Sequence, residues 1–272
     1  MADSATYLYA ITHDAGDAPL AGLTGIAGSD VRGLAQAGLR AYVSTVPLDE
    51  FGEESLRRNL EDLPWLEATA RAHHGVVDAV ARTTPTAPVR LVTVYRNDEH
   101  VRHMLEERAE EFETVLARVH GRSEWGVKVY VTPERPAQQA PPGDRNDKDE
   151  KGRARENPGT AYLKRRQSSL RSRENLQRRV LARAEHIDRT LTALAVASRR
   201  HVPQDPQLSG RKEWMVLNNA YLIDEDRADE FTAAAESLRD SDLDLQVTGP
   251  WAPYSFATLE SITTEPDVAY DG

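Results

Sequence analysis

The chain has 272 residues, enough for about two domains at ~100–200 residues each. Hydrophobic residues make up 39% and charged residues 29%, with no run approaching the ~18 consecutive apolar residues of a membrane span, so packed cores with a solvated surface are expected and a membrane partner is not. Cysteine is absent, which excludes disulfides, thiolate metal sites and a cysteine nucleophile, and the opening MADSATYLYA lacks the basic-then-apolar pattern of a secretory signal, so a cytoplasmic location is expected. The net charge of −10 is unevenly spread. Residues 151–200 hold fourteen Lys and Arg against four acids, a local +10 that leaves −20 for the rest. Such asymmetry bears on contacts rather than on fold, unless the basic stretch is merely a solvated helix face offsetting an acidic body.

Residues 7–12 (YLYAIT) predict a strand. A glycine-rich stretch follows, and 31–37 reads equally as a helical turn or as the first arm of a hairpin. Residues 39–46 (LRAYVSTV) alternate as a strand that Pro47 ends. Leu56, Leu60 and Leu63 recur at helical spacing; Pro64 starts a second amphipathic helix carrying Trp65, Leu66, Thr69, Ala72, Val76, Val77 and Val80 on one face. Residues 89–95 predict a strand, after which Asn97 or Asp98 caps one long helix with Val101, Leu105, Ala109, Phe112, Leu116 and Val119 inward, closed by Gly121. Residues 126–132 (GVKVYVT) predict another strand. Residues 1–132 are therefore expected to form an α+β domain, for which a ferredoxin-like arrangement is the natural candidate.

Residues 133–158 are rich in Pro and charge, with almost no large apolar group, and read as a flexible linker because such a segment cannot offset its ordering entropy. Residues 159–272 are expected to form a second α+β domain: a long helix over 160–197, a strand over 214–223, a helix burying Ala228, Phe231, Ala234, Ala235 and Leu238, and a closing strand over 243–247.

Chemistry-bearing motifs are missing. There is no glycine-rich phosphate loop, and no cofactor is implied. His73 and His74 are adjacent on a helix and point about 100° apart, so they do not share a metal easily. His100 and His103 are at i, i+3 without a third ligand at a recognisable spacing, and a solvated helix edge accounts for them. The carboxylates show no pair in contrasting environments, and no Ser, Asp and His arrangement stands out. The basic helix, with Arg165, Arg166, Arg178 and Arg179 among its cations, offers a single aromatic group, Tyr162, where a nucleic-acid-reading helix usually interleaves more than phosphate-neutralising charge; it predicts charge-driven contact with an acidic surface of its own domain or of a partner rather than nucleic-acid binding. In the tail GPWAPYSF, Trp251, Tyr254 and Phe256 sit between prolines directly after a strand. They either fold back onto the second domain or stand available to a partner.

Several runs, in order, carry a resemblance: YLYAI, VPLDEFGEESLRRNLEDLPWLEATARAHHGVV, PVRLVTVY, EWGVKVYV, GTAYLKRR, VLNNAYLIDEDRADEFTAAAESL and TGPWAPYSF. Together they resemble the gas vesicle GvpL/GvpF family over nearly the whole chain. The family's tail more often reads GPWPPYSF, so Ala252 replaces one proline, and its third strand more often has Gly where Val92 stands. The resemblance implies two domains, the first ferredoxin-like and the second α+β, and a non-enzymatic accessory role in gas vesicle assembly. It further implies contact with the shell protein GvpA and with other accessory proteins, and no catalytic residues. The runner-up is a ligand-binding regulatory module, since ferredoxin-like sheets often host small effectors.

Overall fold

The computed structural model describes residues 4–14, 22–132, 158–202, 213–240 and 242–257. They form eight strands in two antiparallel four-stranded sheets, with seven α-helices. The strands are β1 (Ser4–His13), β2 (Arg32–Gln36), β3 (Leu39–Pro47), β4 (Ala87–Tyr95), β5 (Arg122–Val131), β6 (Ala197–Arg200), β7 (Met215–Asp224) and β8 (Leu243–Trp251). The helices are α1 (Leu48–Phe51), α2 (Glu53–Asn59), α3 (Leu63–Ala81), α4 (Asp98–Glu107), α5 (Ala109–Val119), α6 (Pro158–Thr192) and α7 (Ala228–Ser237). The chain divides into two compact units, one of Met1–Trp125, Leu222–Asp226 and Thr248–Gly272, the other of Gly126–Tyr221 and Arg227–Val247.

The first sheet runs β2-β3-β1-β4, with each neighbouring pair antiparallel. The ambiguous stretch over 31–37 is thus a hairpin arm, turned by Ala37 and Gly38, both at positive φ. β1 is buried on both faces, which explains its unbroken apolar and aromatic run. A bulge between Leu8 and Ala10 adds one residue to the strand, so Tyr7, Tyr9 and Ala10 all face one core while Leu8 and Ile11 face the other. Val76, Val77 and Val80 of α3 cover the tyrosine face, together with Ile26 and Phe51. The opposite face is covered by Val101 and Leu105 of α4 and Phe112 and Leu116 of α5. The expected single helix here is two: the backbone leaves helical geometry at Arg108 (φ −115°, ψ 20°), with no Pro or Gly to announce it. Asn97 caps α4 by accepting from the backbone N–H of His100. Glycine is required at Gly25, where a Cβ would fall on the Tyr9 hydroxyl and Ser44 Oγ.

The second sheet runs β6-β7-β5-β8. Numbered from its own first strand, each sheet therefore has the same order: fourth, first, third, second. In the second, α6 makes the β5–β6 crossover and α7 the β7–β8 crossover; in the first, α1–α3 make the β3–β4 crossover, and no α-helix joins β1 to β2 among the described residues. Val180, Ala184, Ile187 and Leu191 of α6 are buried, as are Phe231 and Ala235 of α7. Asp188 fastens α6 to β7, accepting from the Tyr221 hydroxyl (2.8 Å) and the Asn219 amide (2.7 Å), with Arg200 at 3.0 Å.

The expected domain limits differ from the observed units at two places. Residues 126–131, expected to close the first domain, lie in the second unit and form an inner strand of its sheet. Residues 248–257, expected in the second domain, belong to the first unit. Alternation of Val127 and Val129 marks a strand but not which neighbour it pairs with, and the tail's partners lie more than a hundred residues upstream. The stretch expected as a linker, 133–158, lies outside the described residues apart from Pro158, the first residue of α6.

Candidate functional site

β8 runs through Gly249 and Pro250 instead of stopping before them, because Gly249 takes φ +135° with its α-carbon against the Trp125 ring and the Glu124 carbonyl. The chain then turns into the first unit. Ala252 is buried beside Tyr7, Tyr9 and Val76, and Ala257 beside Leu8, Ile11 and Phe112, so six residues reach both cores of that unit. Ser255 donates its backbone N–H and its hydroxyl to the two oxygens of the Glu124 carboxylate, both at 2.7 Å. Phe256 is buried, with the Arg118 guanidinium 6.0 Å from its ring centre. Tyr254 is half-buried, its hydroxyl 3.0 Å from His74 Nδ1. Trp251 alone of the three aromatic candidates stands out, 50% exposed.

Neither sequence alternative for the tail holds in full. It packs on the first unit, not the second, and of its rings only Trp251 is largely open to a partner. Beneath it lies a cluster that sequence reasoning missed. His73 is fully buried, its Nδ1 3.0 Å from the Tyr7 hydroxyl and its ring 5.7–6.1 Å from those of Tyr9, Tyr7, His74 and Tyr254. Burial, reinforced by His74, lowers its pKa to about 4 against a smaller opposing effect of the Val89 carbonyl, which keeps the imidazole neutral. Burial likewise raises the Tyr7 and Tyr254 hydroxyls above their usual range. His73 and the tyrosines around it are therefore uncharged at neutral pH and serve packing. Its only advance signal is that His73 falls at i−3 and i−4 of Val76 and Val77, on the apolar face of α3.

Among the basic candidates, Arg166, Arg178 and Arg179 are exposed on α6, together with Arg171; the Arg165 side chain lies outside the described residues. Among the described residues Arg178 bonds Asn175 alone, at 2.6 Å. Burial along α6 begins at Val180, so every described side chain before it is exposed except half-buried Leu176. His100 caps against Asn97 and His103 pairs with Glu107, and among the described residues no group of three metal-binding side chains converges. A cavity of about 300 Å³ opens between β1 and the start of α4, lined by Thr6, Arg32, Thr45, Arg96, Asn97 and Asp98 among others. Arg32 and Asp98 pair within it at 2.8 Å, while Arg32 Nη1 is buried without a hydrogen bond.

The model of the family described as "Gas vesicle synthesis protein GvpL/GvpF" matches residues 5–258. The chain belongs to the GvpL/GvpF family. It is 39% identical over 257 residues to gas vesicle protein L of Streptomyces sp. (strain CB03234), covering 94% of each chain. It is 29% identical over 228 residues to gas vesicle protein F of the same strain, covering 83% of this chain and 87% of that one. Crystal structures of GvpF share the fold: the protein from Anabaena sp. PCC7120 at a TM-score of 0.62 and 20% identity, covering 94% of this chain and 97% of that one, and the protein from Microcystis aeruginosa at 0.60 and 17%, covering 94% and 99%. As a GvpL/GvpF protein, the chain takes part in gas vesicle formation. The family match ends one residue after Ala257, so it takes in the whole tail that closes the first unit.

Proposed function

We propose that this GvpL/GvpF protein is a non-enzymatic accessory or minor structural component of gas vesicle assembly, acting in the cytoplasm and at the vesicle through contacts with the shell protein GvpA and other gas vesicle proteins. The observation that carries this reading is the family match over residues 5–258. Two surfaces are offered for the contacts. Trp251 supplies a large apolar ring on a backbone fixed by Pro250 and Pro253, while Tyr254 meets His74 and Phe256 meets Arg118 a few residues on; preset rings of this kind are effective anchors. Arg165, Arg166, Arg178 and Arg179 supply positive charge on α6. A shell subunit with a large apolar face needs such shielding before it assembles. The scaffold behind both surfaces is read as two ferredoxin-like modules, a reading supported by the strand order common to the two sheets.

The test is co-expression with GvpA followed by affinity capture, paired with deletion of the gene in a vesicle-forming cell scored by electron microscopy. Capture of GvpA, weakened by Trp251→Ala, and loss of vesicles on deletion are expected; normal vesicles in the deletion strain would overturn the role. A second reading, a ligand-binding regulatory module, is favoured only by the cavity at Arg32 and its unpaired Nη1. A thermal shift of the purified protein with small metabolites, abolished by Arg32→Ala, would support it.

A further inference from the structure

Two exposed surfaces of this chain mirror one another in charge. The first is the elbow from α1 to the start of α3. Residues 49–67 hold seven acids and two arginines, and every one of the seven acids is exposed. Glu53 pairs with Arg57 at 3.1 Å and Glu67 pairs with Arg71, but Asp49, Glu50, Glu54, Glu61 and Asp62 have no ion-pair partner among the described residues. At its centre stand Leu60 and Leu63, 44% and 73% exposed, with Leu48 at the start of α1 also open. Leucines exposed to this degree within one short stretch are unusual for a surface that stays solvated.

The second surface is the first half of α6. Residues 158–179 hold seven Lys and Arg and one acid, spread over 22 residues and so roughly 33 Å of helix. Arg166, Arg171 and Arg179 have no partner among the described residues. Every described side chain of this half is exposed except half-buried Leu176, although the same helix is packed from Val180 onward.

We infer that the basic first half of α6 seats on the acidic leucine elbow of a second copy of this chain, an inference that rests on reading α6 as a contact surface. The described charged side chains of both surfaces are exposed. A pairing of α6 with α6, or of elbow with elbow, sets like charges together and is disfavoured. Arm on elbow is the one combination of these surfaces that compensates charge while covering Leu60 and Leu63. Each copy carries one arm and one elbow, so a reciprocal contact closes at two copies and a head-to-tail contact continues beyond two. Being built of exposed charges, it weakens as salt shortens the screening length.

The experiment is sedimentation equilibrium of the purified full chain, with no other protein present. At about 50 mM salt the average mass should rise with concentration to that of two copies or more, and about 500 mM salt should return it toward one. The fourfold reversal of Arg166, Arg171, Arg178 and Arg179 to Glu should weaken association about tenfold or more, as should reversal of Glu53, Glu54, Glu61 and Asp62 to Lys. Mixing the two reversed proteins should restore it, since each then meets a partner of opposite sign. Leu63→Ser, at a position too exposed to affect folding, should weaken it several-fold. A single-copy mass at every concentration, association of any variant equal to that of the parent, or failure of the mixture to recover overturns the inference. Capture of GvpA by the parent protein separates the two readings. Intact capture with a monomeric parent sinks only the self-association, whereas a self-associating parent that captures no GvpA sinks only the proposed shell contact.

Discussion

Removing the buried imidazole of His73 should flatten the acid side of this protein's stability profile. In the folded first unit burial lowers the His73 pKa to about 4, against 6.5 for an exposed histidine. Between these values the unfolded chain binds more protons than the folded one, so stability is complete above about pH 6.5 and falls as the pH drops, levelling below about 4. The full difference corresponds to about 3 kcal/mol, of which about 2 kcal/mol is lost between pH 7.5 and pH 5. The groups facing the ring are Tyr7, Tyr9, His74 and Tyr254, and none of the three hydroxyls ionises in this range, since burial raises all three tyrosines. Urea denaturation of the parent and of His73→Gln, followed by circular dichroism at several pH values from about 7.5 to 5, isolates the contribution. The variant carries a constant penalty for the lost Tyr7 contact, and the gap between the two proteins should narrow by about 2 kcal/mol on acidification. A gap that stays constant over that range refutes the reasoning, because it means His73 titrates alike in both states.

The tail offers a contrast: Phe256→Ala, at a buried ring, should cost about 3–5 kcal/mol and lower the melting temperature by several degrees, whereas Trp251→Ala should cost under about 1 kcal/mol by the same measurement. Glu124→Ala removes the acceptor of both Ser255 bonds and should cost about 1.5–3 kcal/mol in thermal or urea unfolding. Gly249→Ala sets a Cβ 2.9 Å from the Glu124 carbonyl at φ +135° and should destabilise by more than about 1 kcal/mol, seen as an earlier urea midpoint with an unchanged slope. In the second unit, Asp188→Ala leaves the Tyr221 hydroxyl and Asn219 amide without their acceptor and should cost about 2–4 kcal/mol by urea titration.

Local pattern carried most of the elements. The apolar run at 7–12, the alternation over 39–46 and the inward stripe from Val101 to Val119 each name their element because burial selects residues at the period of the backbone. The stripe also survives the break at Arg108, since α4 and α5 cover one face of the same sheet. Periodicity is silent on partners, which is why 126–131 reads as a strand but not as an inner strand of the second sheet. β6 was missed because three of its four residues are exposed and it shows no alternation. At the candidate site, the basic helix was legible from charge alone, whereas the prolines near Trp251 marked the tail without deciding whether its ring is open. The seating of the tail was not, because it depends on Glu124, Arg118 and His74, residues that carry no signal of a partner 130 or more positions away. The leucines of the elbow misled in the opposite direction: Leu60 and Leu63 keep helical spacing yet stand in solvent.

The seating of Ala252 and Ala257 in the two cores of the first unit sets an order on synthesis. A ribosome adds residues from the N-terminus at about 5–20 per second, and domains ordinarily fold as they emerge. Here the sheet of β1 to β4 is made early, but the residues that finish its packing come only after the whole second unit has been translated. A nascent chain halted anywhere before residue 252 would hold Tyr7, His73 and Phe112 in cores still open at one edge, marked for a chaperone or a protease. Completion of the first unit thus reports that the second has been made.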